Sequence, residues 1–271
     1  MASVEITSRD ISLRYVDVHI HLADITYSGK VENILDEAAK VGVSSIVACA
    51  EDYQTSIETL RIAQKYPSQV YAALGLHPNN IPNMGESELE KIINLIEENS
   101  KKIVALGEIG LDRKIVENEI ENDQVFILNA LLGVAEKLNL PIIVHSRGAS
   151  LQILEILPSY NIKKILLHWY SGPLDALPEI VKRGYYLSVG PSLLYAKYLQ
   201  DIAAIMPLER LLTETDGPVS YRGPFKGKLT SPSFIPEVVN ALTKIKQKSL
   251  DEVAIQVMKN FSDLFHMSLE G

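Results

Sequence analysis

The strongest constraint on this chain is an alternation, sustained from Tyr15 to Asp216, of short apolar runs with segments of helical periodicity. The runs at residues 15–22, 43–50, 70–77, 103–110, 141–146, 164–170, 185–190 and 211–216 read as buried strands, since they are short, apolar and bounded by turn residues. Helical patterns at 31–40, 55–66, 86–99, 118–138, 149–160, 174–183 and 193–206 separate them. Strands with a helix between each pair make a parallel sheet, because hairpins are closed to them. Eight such units close most economically into an α/β fold, the (β/α)8 TIM-type barrel, which takes about 250 residues. The 271 residues are read as a single domain of this kind over 1–271. An open doubly wound sheet is the alternative, but no glycine-rich phosphate turn follows the first strand. Residues 233–265 supply the last helices, with Ser249-Leu250-Asp251-Glu252 as a capped start.

Composition narrows the classes of function. A formal net charge of -8 argues against sequence-independent coating of nucleic acid, which depends on neutralising phosphates with Lys and Arg. A local phosphate site is compatible with it. The acidic stretches at 86–88 and 117–123 read as solvated helix starts, where carboxylates complement the helix dipole. A single cysteine, Cys49, excludes an internal disulfide and suits a reducing compartment. Residues 1–14 are polar and charged rather than signal-like, and no apolar run approaches the roughly 18 residues of a membrane span. The expected setting is cytoplasmic, with no membrane contact and no stable protein partner.

Against this apolar background a few ionisable residues stand at strand ends. In Asp17-Val18-His19-Ile20-His21 the two-residue strand period sends both imidazoles to one face, with Cα atoms roughly 7 Å apart, close enough to converge on one ion. Glu108, His145, His168 and Asp216 end other apolar runs in the same way. Ionisable groups are costly to bury unless paired or bound to metal, so the recurrence points to one shared cluster. A barrel gathers the C-terminal ends of its strands at one mouth, and His77 falls there too.

The stretches Asp17-Val18-His19-Ile20-His21, Gly75-Leu76-His77-Pro78, Gly107-Glu108-Ile109-Gly110-Leu111-Asp112, Val144-His145-Ser146-Arg147 and Thr213-Glu214-Thr215-Asp216-Gly217-Pro218 follow one another at barrel spacing. In them the chain resembles the TatD family of metal-dependent hydrolases, a branch of the amidohydrolase-like barrels. The resemblance implies two divalent ions, one held by His19, His21 and Asp216, the other by His145 and His168, with Glu108 bridging them. An anionic bridge offsets the repulsion between cations about 3.5–4 Å apart. The expected metals are Zn, Mg or Mn, with Mg the least natural at imidazole. Asp17 shares the face of His19 but lies about 13 Å from His21 along the strand; it is read as orienting His19 by accepting its free ring N–H, with direct ligation of the ion as the alternative. Glu214 has a similar reading, or is a buried carboxylate paired with a neighbour.

Two dications, partly neutralised by Glu108, Asp216 and a hydroxide nucleophile, leave a positive centre that attracts a phosphodiester and stabilises both oxygens of an in-line displacement. Asp216 is the expected proton acceptor as well as a ligand. His77, Arg113, Arg147, Arg222, Lys226 and Lys228 are candidates for gripping phosphate. Trp169, Tyr170, Tyr221 and Phe225 are candidates for stacking on bases, a contact worth about 1–3 kcal/mol per base. The plainer reading of each is a loop residue packed on its neighbours, and His266 is read as structural. The resemblance thus implies a deoxyribonuclease, 3′–5′ exonuclease-like on single-stranded DNA ends. The alternative is a small-molecule amidohydrolase, lactonase or phosphoesterase with the same metal centre.

Overall fold

The computed structural model describes residues 13–85, 87–114 and 118–267. Its strands are β1 (Tyr15–Ile20), β2 (Val43–Cys49), β3 (Val70–Leu74), β4 (Ile103–Gly110), β5 (Ile142–His145), β6 (Ile165–Leu167), β7 (Tyr186–Val189) and β8 (Leu211–Thr213). They pair in chain order and all in parallel. β8 then returns to β1. Thr213 Oγ1 donates to the Val16 carbonyl at 2.6 Å, Asp216 N to that of His19 at 2.8 Å, and His21 N to that of Gly217 at 2.9 Å. The sheet is a nearly closed barrel, as the alternation requires.

Each strand lies inside an expected run, and all but β4, which ends with its run at Gly110, stop earlier. β6 ends at Leu167 and β8 at Thr213 because Trp169 and Asp216 adopt left-handed backbone angles, φ 36° and 49°, which no strand accommodates. Asp tolerates that region through local hydrogen bonding. Trp does so at a cost on the order of 1–3 kcal/mol. Both residues turn the chain at the barrel mouth, although the Asp216 N–H still donates to the His19 carbonyl.

The helices are α1 (Val31–Lys40), α2 (Tyr53–Lys65), α3 (Glu88–Asn99), α4 (Asn118–Leu138), α5 (Ser150–Ile156), α6 (Leu177–Lys182), α7 (Lys197–Ile205), α8 (Ile235–Lys246) and α9 (Leu250–Phe265). Each amphipathic one buries a stripe: Ile34, Leu35 and Ala38 on α1, and Val253, Val257, Phe261 and Leu264 on α9. Ser249 and Glu252 form the expected capping box on α9. Three of the expected helices are partly 3-10, at Leu157–Ser159, Leu174–Ala176 and Pro191–Leu194; Pro158, and Pro178 just after the second, lack the N–H that a continuous helix uses, while Pro191 opens the third. Residues 1–12, Glu86 and Glu117, which belong to the N-terminal and acidic segments read above, lie outside the described residues. Among the described residues no helix is long and apolar enough to cross a membrane. β1 is buried along its whole length, Val16, Val18 and Ile20 alternating with Asp17 and His19. The second set faces the barrel axis and brings ionisable groups to its C-terminal end.

Candidate metal centre

β1 carries His19 and, just past its end, His21 to the mouth; β4 carries Glu108, and the segment after β8 carries Asp216. His19 Nε2 and His21 Nε2 are 3.2 Å apart. They lie 3.2 and 3.4 Å from Glu108 Oε2, and 3.4 and 3.3 Å from Asp216 Oδ1. Ligand atoms about 2.05 Å from a tetrahedral zinc sit roughly 3.3 Å from one another, so these four atoms have the spacing of a coordination shell. Among the described residues the buried Glu108 Oε2 accepts no hydrogen bond, and a cation between it and the two rings would satisfy it. His21 Nδ1 faces the Cys49 carbonyl at 3.1 Å. A carbonyl only accepts, so Nδ1 holds the proton and Nε2 presents a lone pair.

A second group gathers on the other oxygen of Glu108. Oε1 lies 2.7 Å from His168 Nε2, 2.8 Å from His145 Nδ1 and 3.4 Å from His77 Nε2. His145 Nε2 is 2.8 Å from Asp112 Oδ2, an acceptor. In its neutral form the ring therefore turns the lone pair of Nδ1 toward Glu108, and two lone pairs at that distance repel unless a proton or a metal cation lies between them. His77 differs: its Nδ1 accepts the Asn79 N–H at 3.1 Å, which leaves the proton on Nε2. It offers the cluster a donor where the other rings offer acceptors.

Electrostatics favours positive charge throughout. Burial, and then the charge of His19, work to lower the pKa of His168, yet Glu108 and Glu214 lift it to about 9. Burial likewise opposes protonation of His145, and Asp112 with Glu108 overcomes it. At His21 burial is outweighed chiefly by Asp216 and Glu108. Burial would raise Glu108 and Asp216, but the imidazoles around them hold both below the usual carboxylate range. Such a well takes up protons or divalent cations in competition. A cavity of about 600 Å³ opens over both groups, and Asp24, Glu51, His77, Arg147, Trp169 and Val219 are among its lining residues.

Around this cluster several expected roles change. Asp17 does not accept from the His19 ring: among the described residues Nδ1 makes no hydrogen bond of ordinary geometry, and the side chain beside it is the Cys49 thiol. The Asp17 carboxylate takes the main-chain N–H of His19 at 3.2 Å together with the N–H and hydroxyl of Thr215, so it fastens the segment leading to Asp216 onto β1. Glu214 accepts from Ser188 Oγ at 2.6 Å and approaches His168 Nδ1 at 3.5 Å, from behind the ring. Tyr221 is no stacking platform: it is buried against Trp169, and its hydroxyl donates to the Thr215 carbonyl at 2.7 Å. Phe225 is buried on Phe234, and Tyr170 is buried with its hydroxyl on the Pro173 carbonyl. Of the expected aromatics only Trp169 lines the cavity. Arg222, Lys226 and Lys228 are exposed and stand outside the cavity lining. Arg113 donates to Gln152. His266 ends α9 in a left-handed cap, the structural place expected of it. Asp112 was visible only as the last residue of its motif and had no assigned role; its contact with His145 depends on pairing beyond the ends of β4 and β5.

A parallel barrel whose C-terminal mouth holds imidazoles and carboxylates grouped on one shared glutamate defines a class, the metal-dependent hydrolase barrels. Residues 16–266 match the family profile described as TatD related DNase. The chain is 32% identical over 261 residues, 96% of its length and all of the other's, to an uncharacterized metal-dependent hydrolase of Methanocaldococcus jannaschii, MJ1582. It is 29% identical over 259 residues to the human deoxyribonuclease TATDN3, covering 92% of this chain and 94% of that one. The crystal structure of the TatD homologue YjjV of Escherichia coli superposes with a TM-score of 0.88 at 30% identity, covering 94% of this chain and 99% of that one. The chain belongs to the TatD family of metal-dependent hydrolases.

Proposed function

We propose that the chain is a metal-dependent deoxyribonuclease that hydrolyses phosphodiester bonds at single-stranded DNA ends in the 3′–5′ direction, using two divalent ions. The observation that carries this reading is the convergence of two donor groups on the two oxygens of Glu108, beneath a cavity lined by Arg147, His77 and Trp169. His19, His21 and Asp216 would hold one ion, His145 and His168 the other, and Glu108 both. Mixed imidazole and carboxylate donors suit Zn or Mn better than Mg. Bound there, such ions supply Lewis acidity at the phosphate and lower the pKa of water.

The remaining work falls to side chains. Arg147 is tied through Nε to Asp112 at 2.7 Å and is about half exposed, 49%, which leaves its terminal amino groups for phosphate oxygens. His77 donates Nε2–H to the same phosphate. Asp216 turns Oδ1 to His19 and His21, and Oδ2 is the atom assigned to take the proton of the attacking water. Trp169 offers a base its ring face. Arg222, Lys226 and Lys228 meet phosphates of the strand beyond the cavity. The relative named as a deoxyribonuclease supports DNA as the substrate.

The test is protein freed of metal, reloaded with zinc, manganese or magnesium singly, and assayed on end-labelled single-stranded DNA beside esters, lactones and amides. Cleavage abolished by chelator, restored by one ion and shortening the strand stepwise from its 3′ end is the expected result. Metal-dependent turnover of the small molecules with none of DNA would replace this reading with the small-molecule hydrolase.

A further inference from the structure

We infer that Asp112 is a positioning residue that joins the His145–His168 ion site to the phosphate clamp Arg147, so that the two are held in place as one unit. A single oxygen, Oδ2, receives His145 Nε2 at 2.8 Å and Arg147 Nε at 2.7 Å. The first contact keeps the His145 proton on Nε2 and its lone pair on Nδ1, the atom 2.8 Å from Glu108. The second fixes the guanidinium by its inner nitrogen and leaves the outer ones unspent.

Asp112 is itself immobilised. It is fully buried and does not line the cavity. Its Oδ1 accepts the Lys114 N–H at 2.8 Å, and its own N–H donates to Gln124 Oε1 at 2.9 Å. The pairing of β4 with β5 also continues past the strand ends, with Leu111 N on the His145 carbonyl at 3.1 Å and Arg113 N on the Arg147 carbonyl at 2.9 Å. Gly110 makes that approach feasible: its φ is +153°, and a Cβ there would fall 1.9 Å from the His145 carbonyl oxygen. Backbone ladder and buried carboxylate therefore fix the ligand and the clamp in one register.

The role of Arg147 rests on the phosphodiester reading, but each arm of the test is independent of turnover. In zinc titrations of the metal-free chain, Asp112→Asn weakens one of two ions by about ten- to hundred-fold, the range for lost outer partners of a metal-bound His. The ion at His19, His21 and Asp216 keeps its affinity. Inorganic phosphate binding to the zinc-loaded protein falls in Arg147→Ala and in Asp112→Asn, and the double variant is no weaker than the weaker single. Nitrogen-15 spectra of zinc-loaded wild-type protein place the His145 proton on Nε2, a readout that stands even where the variant fails to fold. Wild-type zinc affinities in Asp112→Asn, phosphate losses that multiply in the double variant, or a His145 proton on Nδ1 would each overturn the inference. Failure of DNA cleavage with all three arms as expected would overturn only the nuclease reading.

Discussion

The hydrogen bond from Asn79 N to His77 Nδ1 leaves the His77 proton on Nε2, so His77→Ala removes a donor from the substrate and leaves the ions in place. A hydrogen bond to a charged group is worth about 1.5–3 kcal/mol, so KM should rise about tenfold or more with zinc content unchanged. A purified variant that has lost an ion would make His77 a ligand. His168 sets a pH dependence. Its pKa in the folded chain, about 9, lies above the ordinary value of 6.5. The proton it holds therefore stabilises the metal-free fold fully below about pH 6.5, and that stabilisation is lost as pH rises through about 9. Asp17 has the same sign: burial, outweighing its hydrogen bonds to Thr215 and His19, pushes the carboxyl up to about 7, and ionising it costs stability. Chelated protein should melt at progressively lower temperature as pH rises from about 6 to 9, while zinc-loaded protein loses stability on acidification as protons displace the metal. A chelated protein that melts higher at alkaline pH would show that His168 and Asp17 are not held protonated by the fold.

At the scale of elements, β3 and β4 meet so closely that a Cβ on Gly75 would come 2.4 Å from the Glu108 carbonyl oxygen. Gly75→Ala should cost about 1–3 kcal/mol, the usual range for overpacking, and weaken both ions because Glu108 moves; denaturant unfolding and zinc titration check the two effects. Replacing Arg222, Lys226 and Lys228 together by Ala should flatten the salt dependence of DNA binding and spare the metal; an unchanged slope would show that this loop is idle. The eight strands were legible because parallel strands buried on both faces must be apolar runs, and His19, His21, Glu108, His145, His168 and Asp216 were legible because each interrupts or ends one. Asp112 was not, since it lies past the end of β4 and reaches His145 only through the continued ladder. Tyr221 misled for a related reason: an aromatic in a basic loop reads as exposed, and only its packing on Trp169 and its bond to Thr215 show it to be buried.

The whole molecule carries a net charge of -8, yet its mouth is built to concentrate cations. Barrel closure makes this so. Residues separated by up to two hundred positions, such as Asp17 and Thr215, are hydrogen-bonded neighbours at the β1–β8 seam, and the strands converge on one carboxylate. In the proposed site Glu108 would join two ions, with His19, His21 and Asp216 grouped on Oε2 and His145 and His168 on Oε1. As a terminal ligand His168 would touch one ion, so His168→Ala should release one and leave the other partly bound. If Glu108 is the bridge, Glu108→Ala would remove a ligand from both and also the anion that screens their repulsion, while Glu108→Gln would keep an oxygen donor and lose only the charge. The deciding measurement is the number of zinc ions per chain, by native mass spectrometry of reloaded protein: two in the wild type, with both lost together in Glu108→Ala. Two ions retained at wild-type affinity in Glu108→Ala would contradict the bridge and the dinuclear site built on it.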